Sequence, residues 1–220
     1  VTYLNGTDSS FKNPLVRFDA PGVYEVCLKA SNSIGVDSMC RGGGYITVIN
    51  YCTPSAGFST DVGISRVVLR SLNNLTGIAG GYTDFSNSAA ATLELRSVNQ
   101  MTIERLTNFN DQNVRVWIDY NQDGDFVDAG ENVLTFSAAN SLSFRGSLTV
   151  PFTALKGSTR MRIGAALGNS ANAPCGPINV GEFEDYKILI TPDTDKPVIT
   201  LLGANPDSTE AGYVYNDPGA

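Results

Sequence analysis

Oxygen ligands crowd one stretch of the 220-residue chain, Asp119-Tyr120-Asn121-Gln122-Asp123-Gly124-Asp125-Phe126-Val127-Asp128-Ala129-Gly130-Glu131. Asp119, Asn121 and Asp123 stand at alternate positions, Gly124 follows, and Asp125 and Glu131 extend the set. A calcium ion takes about six to eight hard oxygens from a chain that turns sharply. Calcium is therefore the cofactor this pattern suggests, with Asp119, Asn121, Asp123, Asp125 and Glu131 as ligands. The competing reading is an Asx-rich turn with Asp123-Gly124 at its tip and solvated carboxylates.

The opening of this stretch follows the order of an EF-hand loop, but its end departs from it. Gly130 occupies the position where an EF-hand places a bidentate glutamate, Glu131 comes one residue late, and no helix is predicted on either side. The loop is expected at the end of a β-hairpin, with similar ligand chemistry in a different frame.

A second constellation is Gly181-Glu182-Phe183-Glu184-Asp185-Tyr186. In a strand, Glu184 shares a face with Tyr186, Ile188 and Ile190, and so points toward a core. A carboxylate there is costly unless paired. Its partner is expected to be Arg160 or Arg162 on a neighbouring strand, with a cation shared with the Asp119 loop as the other option. The roles of Glu182, Glu184, Asp185 and Arg162 are then structural. Paired carboxylates are also what glycoside hydrolysis requires, but nothing in the pattern marks a pocket that would raise one of their pKa values. The chain has no histidine, which removes Ser-His-Asp and Cys-His catalysis and the usual zinc sites. A non-catalytic protein is expected. Tyr82, Phe85, Trp117, Tyr120 and Phe126 could form a sugar-stacking surface, Tyr82 and Tyr120 above all. Against that, Trp117 alternates with Val116 and Ile118 as a buried residue would, and Tyr120 and Phe126 could simply clamp the loop.

The four cysteines, Cys27, Cys40, Cys52 and Cys175, form no C-x-x-C motif. Cys27 and Cys40 flank the loop signal Ser31-Asn32-Ser33-Ile34-Gly35 and are expected to face each other across a hairpin. That leaves Cys52 with Cys175, and four free buried thiols as the alternative. Paired cysteines place the chain in an oxidising, extracellular setting. The net charge of -7 repels phosphates, so no nucleic-acid partner is expected. No run reaches the roughly 18 apolar residues of a membrane-spanning helix, and no charged-then-apolar signal segment is present.

These residues must be positioned by strands. With 42% hydrophobic and 17% charged residues and abundant glycine, serine, asparagine and threonine, the composition suits short strands and many turns. Tyr24, Val26, Leu28 and Ala30 alternate with Glu25, Cys27 and Lys29, predicting a half-buried strand, and Tyr45–Ile49 closes that unit. Further strands are predicted at Ile64–Leu72, Ala91–Val98, Met101–Leu106, Val114–Tyr120, Ser143–Val150, Thr159–Ala165 and Tyr186–Ile190. One short helical turn is possible in Pro151–Gly157. The fold class is all-β, as tandem antiparallel sandwiches of Ig-like or jelly-roll-like modules. Residues 192–197 read as a linker, Val198–Leu202 as the opening strand of a further unit, and the chain is expected to begin and end inside modules.

Three segments resemble known families. Residues 1–50, through Asn13-Pro14-Leu15-Val16-Arg17-Phe18, Pro21-Gly22-Val23-Tyr24-Glu25-Val26, Ala30-Ser31-Asn32-Ser33-Ile34-Gly35 and Tyr45-Ile46-Thr47-Val48, resemble the second half of a PKD domain. Residues 51–191 are similar to the GEVED domain of secreted bacterial proteins. The motif itself reads Gly181-Glu182-Phe183-Glu184-Asp185, with Phe183 in place of valine, and Trp117-Ile118-Asp119-Tyr120-Asn121-Gln122-Asp123-Gly124-Asp125-Phe126 also fits. Residues 198–220, introduced by Lys196-Pro197 and ending in Tyr215-Asn216-Asp217-Pro218-Gly219-Ala220, look like the start of a bacterial Ig-like surface domain. Together these resemblances imply a structural or adhesive segment of a large secreted cell-surface protein, an adhesin or fibre of the kind often exported by type IX secretion. They imply neighbouring modules of the same chain, a homo-oligomer or fibre, and a host or prey surface or polysaccharide as partners. The alternative they imply is an accessory substrate- or carbohydrate-binding module of a secreted hydrolase.

Overall fold

The computed structural model describes residues 1–57, 61–77, 80–105, 107, 112–137, 141–168, 173–204 and 207–219; Leu106 and Ala220 lie outside them. The fold is all-β, with fourteen strands and no α-helix among the described residues.

The centre is a sandwich of two sheets. One holds β5 (Arg66–Leu69), β6 (Leu72–Leu75), β9 (Val98–Glu104) and β12 (Ser143–Thr149), in the order β12-β9-β5-β6 and antiparallel throughout. The other runs β11 (Asn132–Phe136), β10 (Gln112–Ile118), β13 (Gly157–Leu167) and β14 (Gly181–Thr191), again antiparallel. Its far edge departs from the antiparallel pattern. β7 (Gly81–Asp84) and β8 (Ala90–Glu94) lie end to end along β14, and both pair with it in parallel.

Period-two burial dictates the packing. Val67, Leu69, Met101, Ile103, Phe144 and Leu148 of the first sheet meet Val114, Val116, Ile118, Met161, Ile163, Tyr186, Ile188 and Ile190 of the second. The second sheet is covered on its outer face as well. Trp117, Ala166 and Phe183 pack there with Phe126 and Ile178, against Tyr51, Ala56 and Tyr82. Strands buried on both faces lose the alternation of a half-buried strand. Residues Gly181–Tyr186 are accordingly buried without a break, charged residues included.

Several expectations need correction. Ile64–Leu72 is the arm and turn of the β5–β6 hairpin rather than one strand, because Arg70 takes a positive φ of 55° and reverses the chain. Likewise Arg96, at φ 65°, separates β8 from β9 inside the expected Ala91–Val98 strand. Pro151–Gly157 holds a turn closed by the Ala154 N–H donating to the Pro151 carbonyl at 3.1 Å, not a helix. β7 and β11 carry no strong alternation, so the sequence pattern marks neither as a strand.

Outside the sandwich, β1 (Thr2–Tyr3) pairs with β2 (Val16–Arg17), and β3 (Gly22–Ser31) with β4 (Val36–Val48) as an isolated antiparallel hairpin. Its apolar stripe is not half-buried as expected: Leu28 is 73% exposed, and on β4 Met39 is 68% exposed. No second sheet among the described residues covers it. Val198–Leu202 is not a strand; it has no ladder partner, and Val198 and Ile199 are exposed.

Candidate functional site

The acidic loop joins β10 to β11 and divides into an inner and an outer layer. Asp119 and Glu131 are the inner layer, both buried. Asp119 Oδ1 accepts from the Gln122 N–H at 2.6 Å, and Oδ2 from the Gly124 N–H at 3.1 Å and the Tyr51 hydroxyl at 2.7 Å. Burial pushes the Asp119 carboxyl above the usual range against the pull of these bonds. Glu131 Oε1 accepts from the Tyr120 N–H at 2.9 Å, and Oε2 has no hydrogen-bond partner. Burial, with the Asp119 charge adding to it, pushes Glu131 up to about 7, against the Tyr120 hydrogen bond. These two side chains close the loop on its own backbone, which is how a short loop satisfies amides that no ladder reaches.

The outer layer is exposed. Asp123, Asp125 and Asp128 bring one carboxylate oxygen each within 4.8 Å of the others. Asn121 Nδ2 donates to Asp123 Oδ2 at 3.0 Å and to Asp128 Oδ2 at 2.8 Å. The Asp123, Asp125 and Val127 amides donate to the side chains two residues earlier, a run of Asx turns. The residues expected to share a cation are thus split. Asn121, Asp123 and Asp125 come together, Asp119 and Glu131 serve the loop backbone, and Asp128 joins the outer group. Sequence spacing overlooked Asp128 because an EF-hand frame gives its position no ligand, whereas the Asx turns coil it back over Asp123.

The loop also grips the segment that enters the sandwich. Gly124, at φ +98°, lies so close to Ile49 that a Cβ there would sit 3.0 Å from the Ile49 Cβ. Tyr51 stacks on Phe126 with ring centroids 5.2 Å apart, and the Arg160 guanidinium lies 4.6 Å from the Tyr51 ring centre.

In the Gly181–Tyr186 strand every acidic side chain is buried. Glu184 does not pair with arginine, as expected of it. The Tyr186 hydroxyl donates to its Oε2 at 2.7 Å, and Oε1 has no hydrogen-bond partner. Burial pushes Glu184 up to about 8; Tyr186 opposes this and the Glu182 charge adds to it. Arginine faces Asp185 instead, because the ladder sets Arg162 directly opposite it on the outer face. Arg162 Nε donates to Oδ1 and Nη2 to Oδ2, both at 2.7 Å, and Arg160 Nη1 reaches Oδ2 at 3.0 Å. The remaining Arg162 donors meet the Pro174 and Cys52 carbonyls, each at 2.9 Å. Glu182 Oε2 accepts from the Ile64 N–H at 2.9 Å, tying β14 to the chain ahead of β5.

The aromatic residues do not make a common stacking surface. Tyr120, 6% exposed, has its ring in the core. Tyr82 is half-buried, donates its hydroxyl to Asp185 Oδ2 at 2.9 Å, and faces the Arg162 guanidinium. Burial, with the Asp185 charge, pushes its phenol up to about 12. Both disulfides form as expected, Cys27–Cys40 across the exposed hairpin and Cys52–Cys175 beside Arg162.

Residues 113–189 match the family model of the GEVED domain. The matched stretch contains both the acidic loop and the Gly181–Tyr186 strand. That family is one of small accessory domains, and the match suggests a non-catalytic module. A comparison with curated proteins finds no match.

Proposed function

We propose that this chain is a non-catalytic structural and adhesive segment of a large secreted cell-surface protein, with calcium held on its acidic loop. Asp123, Asp125 and Asp128 would hold the ion, with Asn121 at their edge and water completing the coordination. The observation that carries this reading is the use made of the charged groups of the matched domain. Arg162, Glu182, Glu184 and Asp185 are buried among strands and bonded to backbone, tyrosine or one another. Such groups lock a fold. Two disulfides suit an oxidising exterior, where resistance to unfolding matters most. Among the described residues no helix is long and apolar enough to cross a membrane.

In this reading residues 1–50 are a PKD-like unit, 51–191 the GEVED unit, 192–197 a linker and 198–220 an Ig-like unit. Neighbouring modules are the first partners, and a fibre, a host or prey surface or a polysaccharide the further ones. Thermal melts in calcium and in chelator test the ion. Calcium at about a hundredfold excess over its dissociation constant adds roughly 2.7 kcal/mol, and Asp123→Ala or Asp128→Ala should abolish the gain. Identical melts with and without chelator would remove calcium from the proposal. Beads coated with the chain should bind cell or polysaccharide surfaces if the segment is adhesive, and bare recovery levels would count against adhesion.

A further inference from the structure

The two disulfides sit in opposite electrostatic surroundings. Cys27 and Cys40 lie on the exposed hairpin, where a Glu25 carboxylate oxygen and both sulfurs fall within 4.8 Å of one another. A negative charge there disfavours a thiolate. Cys52 and Cys175 are half-buried, and Arg162 Nη1 donates to Cys52 Sγ at 3.1 Å. That donor cannot turn aside. Asp185 holds Nε and Nη2, the Pro174 and Cys52 carbonyls take further N–H groups, and the Phe126 ring centre lies 4.9 Å from the guanidinium carbon. A disulfide sulfur is only a weak acceptor. A thiolate at Cys52 would accept the same N–H as a bond between opposite charges, which is stronger.

We propose that Cys52–Cys175 is a reversible thiol–disulfide exchange site, where a small external thiolate attacks Cys175 Sγ and Cys52 leaves as a thiolate held by Arg162. The Cys52–Cys175 bond breaks, a new S–S bond joins Cys175 to the incoming sulfur, and the electron pair passes to Cys52 Sγ. No proton moves, and the negative charge shifts from the attacking thiolate to Cys52. Attack takes this direction because the better stabilised thiolate leaves faster. The charges around Arg162 are Asp185, shared with Arg160, and Asp84, 3.5 Å from Arg160, with the Tyr82 hydroxyl on Asp185. Asp185 engages Nε and Nη2, which leaves Nη1 as the arm facing the sulfur. Cleavage does not scatter the two cysteines. The Ile178 N–H donates to the Ser55 carbonyl, the Gly57 N–H to the Ile178 carbonyl and the Gly181 N–H to the Gly57 carbonyl, each at 3.0 Å. With Tyr51 and Ala56 packed on the outer face of the second sheet, these bonds keep the Cys52 thiolate placed to expel the added thiol and reform the disulfide. Opening is then a reversible loosening of a strap, residues 51–57, and not an unfolding.

The test exposes the intact chain to reduced glutathione at neutral pH, caps free thiols with excess N-ethylmaleimide, and maps both labels by peptide mass spectrometry. Glutathione should appear on Cys175 and maleimide on Cys52, in several-fold excess over the reverse arrangement. A second measurement separates the surroundings of each sulfur from its access. In Cys175→Ser, iodoacetamide should alkylate Cys52 at lower pH than it alkylates Cys175 in Cys52→Ser, both chains lacking the same bond. Glutathione mainly on Cys52, an even split, or no mixed disulfide at either residue would overturn the proposal, as would matching pH profiles in the two variants. If either variant fails to fold, the labelling of the parent chain decides alone. Neither calcium nor adhesion enters the experiment, so its failure leaves the proposed function to its own tests.

Discussion

Arg162 and Asp185 illustrate how costly groups are made tolerable at the residue scale. Each is wholly buried, and removing either charge strands the other in a medium that solvates it poorly. Asp185→Asn should therefore destabilise by about 3–5 kcal/mol, read as a fall in the denaturant midpoint. Replacing both residues with apolar ones of similar size should recover most of that loss, and a double variant no better than the single would show that the pair itself is stabilising. Glu184 gives the pH dependence. Its folded pKa of about 8 lies above the ordinary 4.5, so the native state holds the proton more tightly than the unfolded chain. The stabilisation is complete below pH ~4.5 and is lost as pH rises toward 8, by on the order of 3–5 kcal/mol in all. Glu184→Gln keeps an acceptor for Tyr186 and cannot ionise. Its unfolding free energy, measured from pH 5 to 8, should fall less steeply than that of the parent chain. Equal slopes would place the buried charge elsewhere.

Among the elements, β13 and β14 show how one strand's omission serves another's side chain. A Cβ on Gly164 would sit 2.7 Å from the Phe183 ring and 3.2 Å from Trp117. Gly164→Ala should cost about 1–3 kcal/mol through overpacking. Adding Phe183→Val, the residue the resembled motif carries there, should restore most of it in the same melt. A double variant as unstable as Gly164→Ala alone would defeat this account. Strands such as β9 and β12 were legible in the sequence because one face is buried and the other wet, which imprints alternation. β14 was legible only in its apolar half, because its charged half is buried on both faces and reads as surface. The partner of Arg162 could not be read from the sequence at all. It depends on the β13–β14 register, which two hairpin-distant segments set only when they pair. For the same reason spacing suggested a cation set that the loop's Asx turns then divided.

At the scale of the whole molecule, two bodies should differ sharply in stability. The sandwich buries two apolar clusters and closes with Cys52–Cys175, 123 residues apart in sequence. The β3–β4 hairpin buries almost nothing, and its disulfide joins directly paired residues. A lone two-stranded hairpin is marginal in water, so Cys27–Cys40 is the main constraint holding it. Substituting both hairpin cysteines with serine should leave the main melting transition within about 0.5 kcal/mol of the parent, while amides of Val23–Val48 lose their protection from hydrogen exchange. Substituting Cys52 and Cys175 should instead lower the main transition by about 3–5 kcal/mol, since a long closed loop constrains the unfolded chain most. It also removes the disulfide against which Arg162 Nη1 rests at 3.1 Å. If the hairpin variant dragged the main transition down as far, the hairpin would be part of the sandwich's cooperative unit. The contact of Ile49 with Gly124 would then be the path of that coupling, and Gly124→Ala, which disturbs it directly, should reproduce the effect.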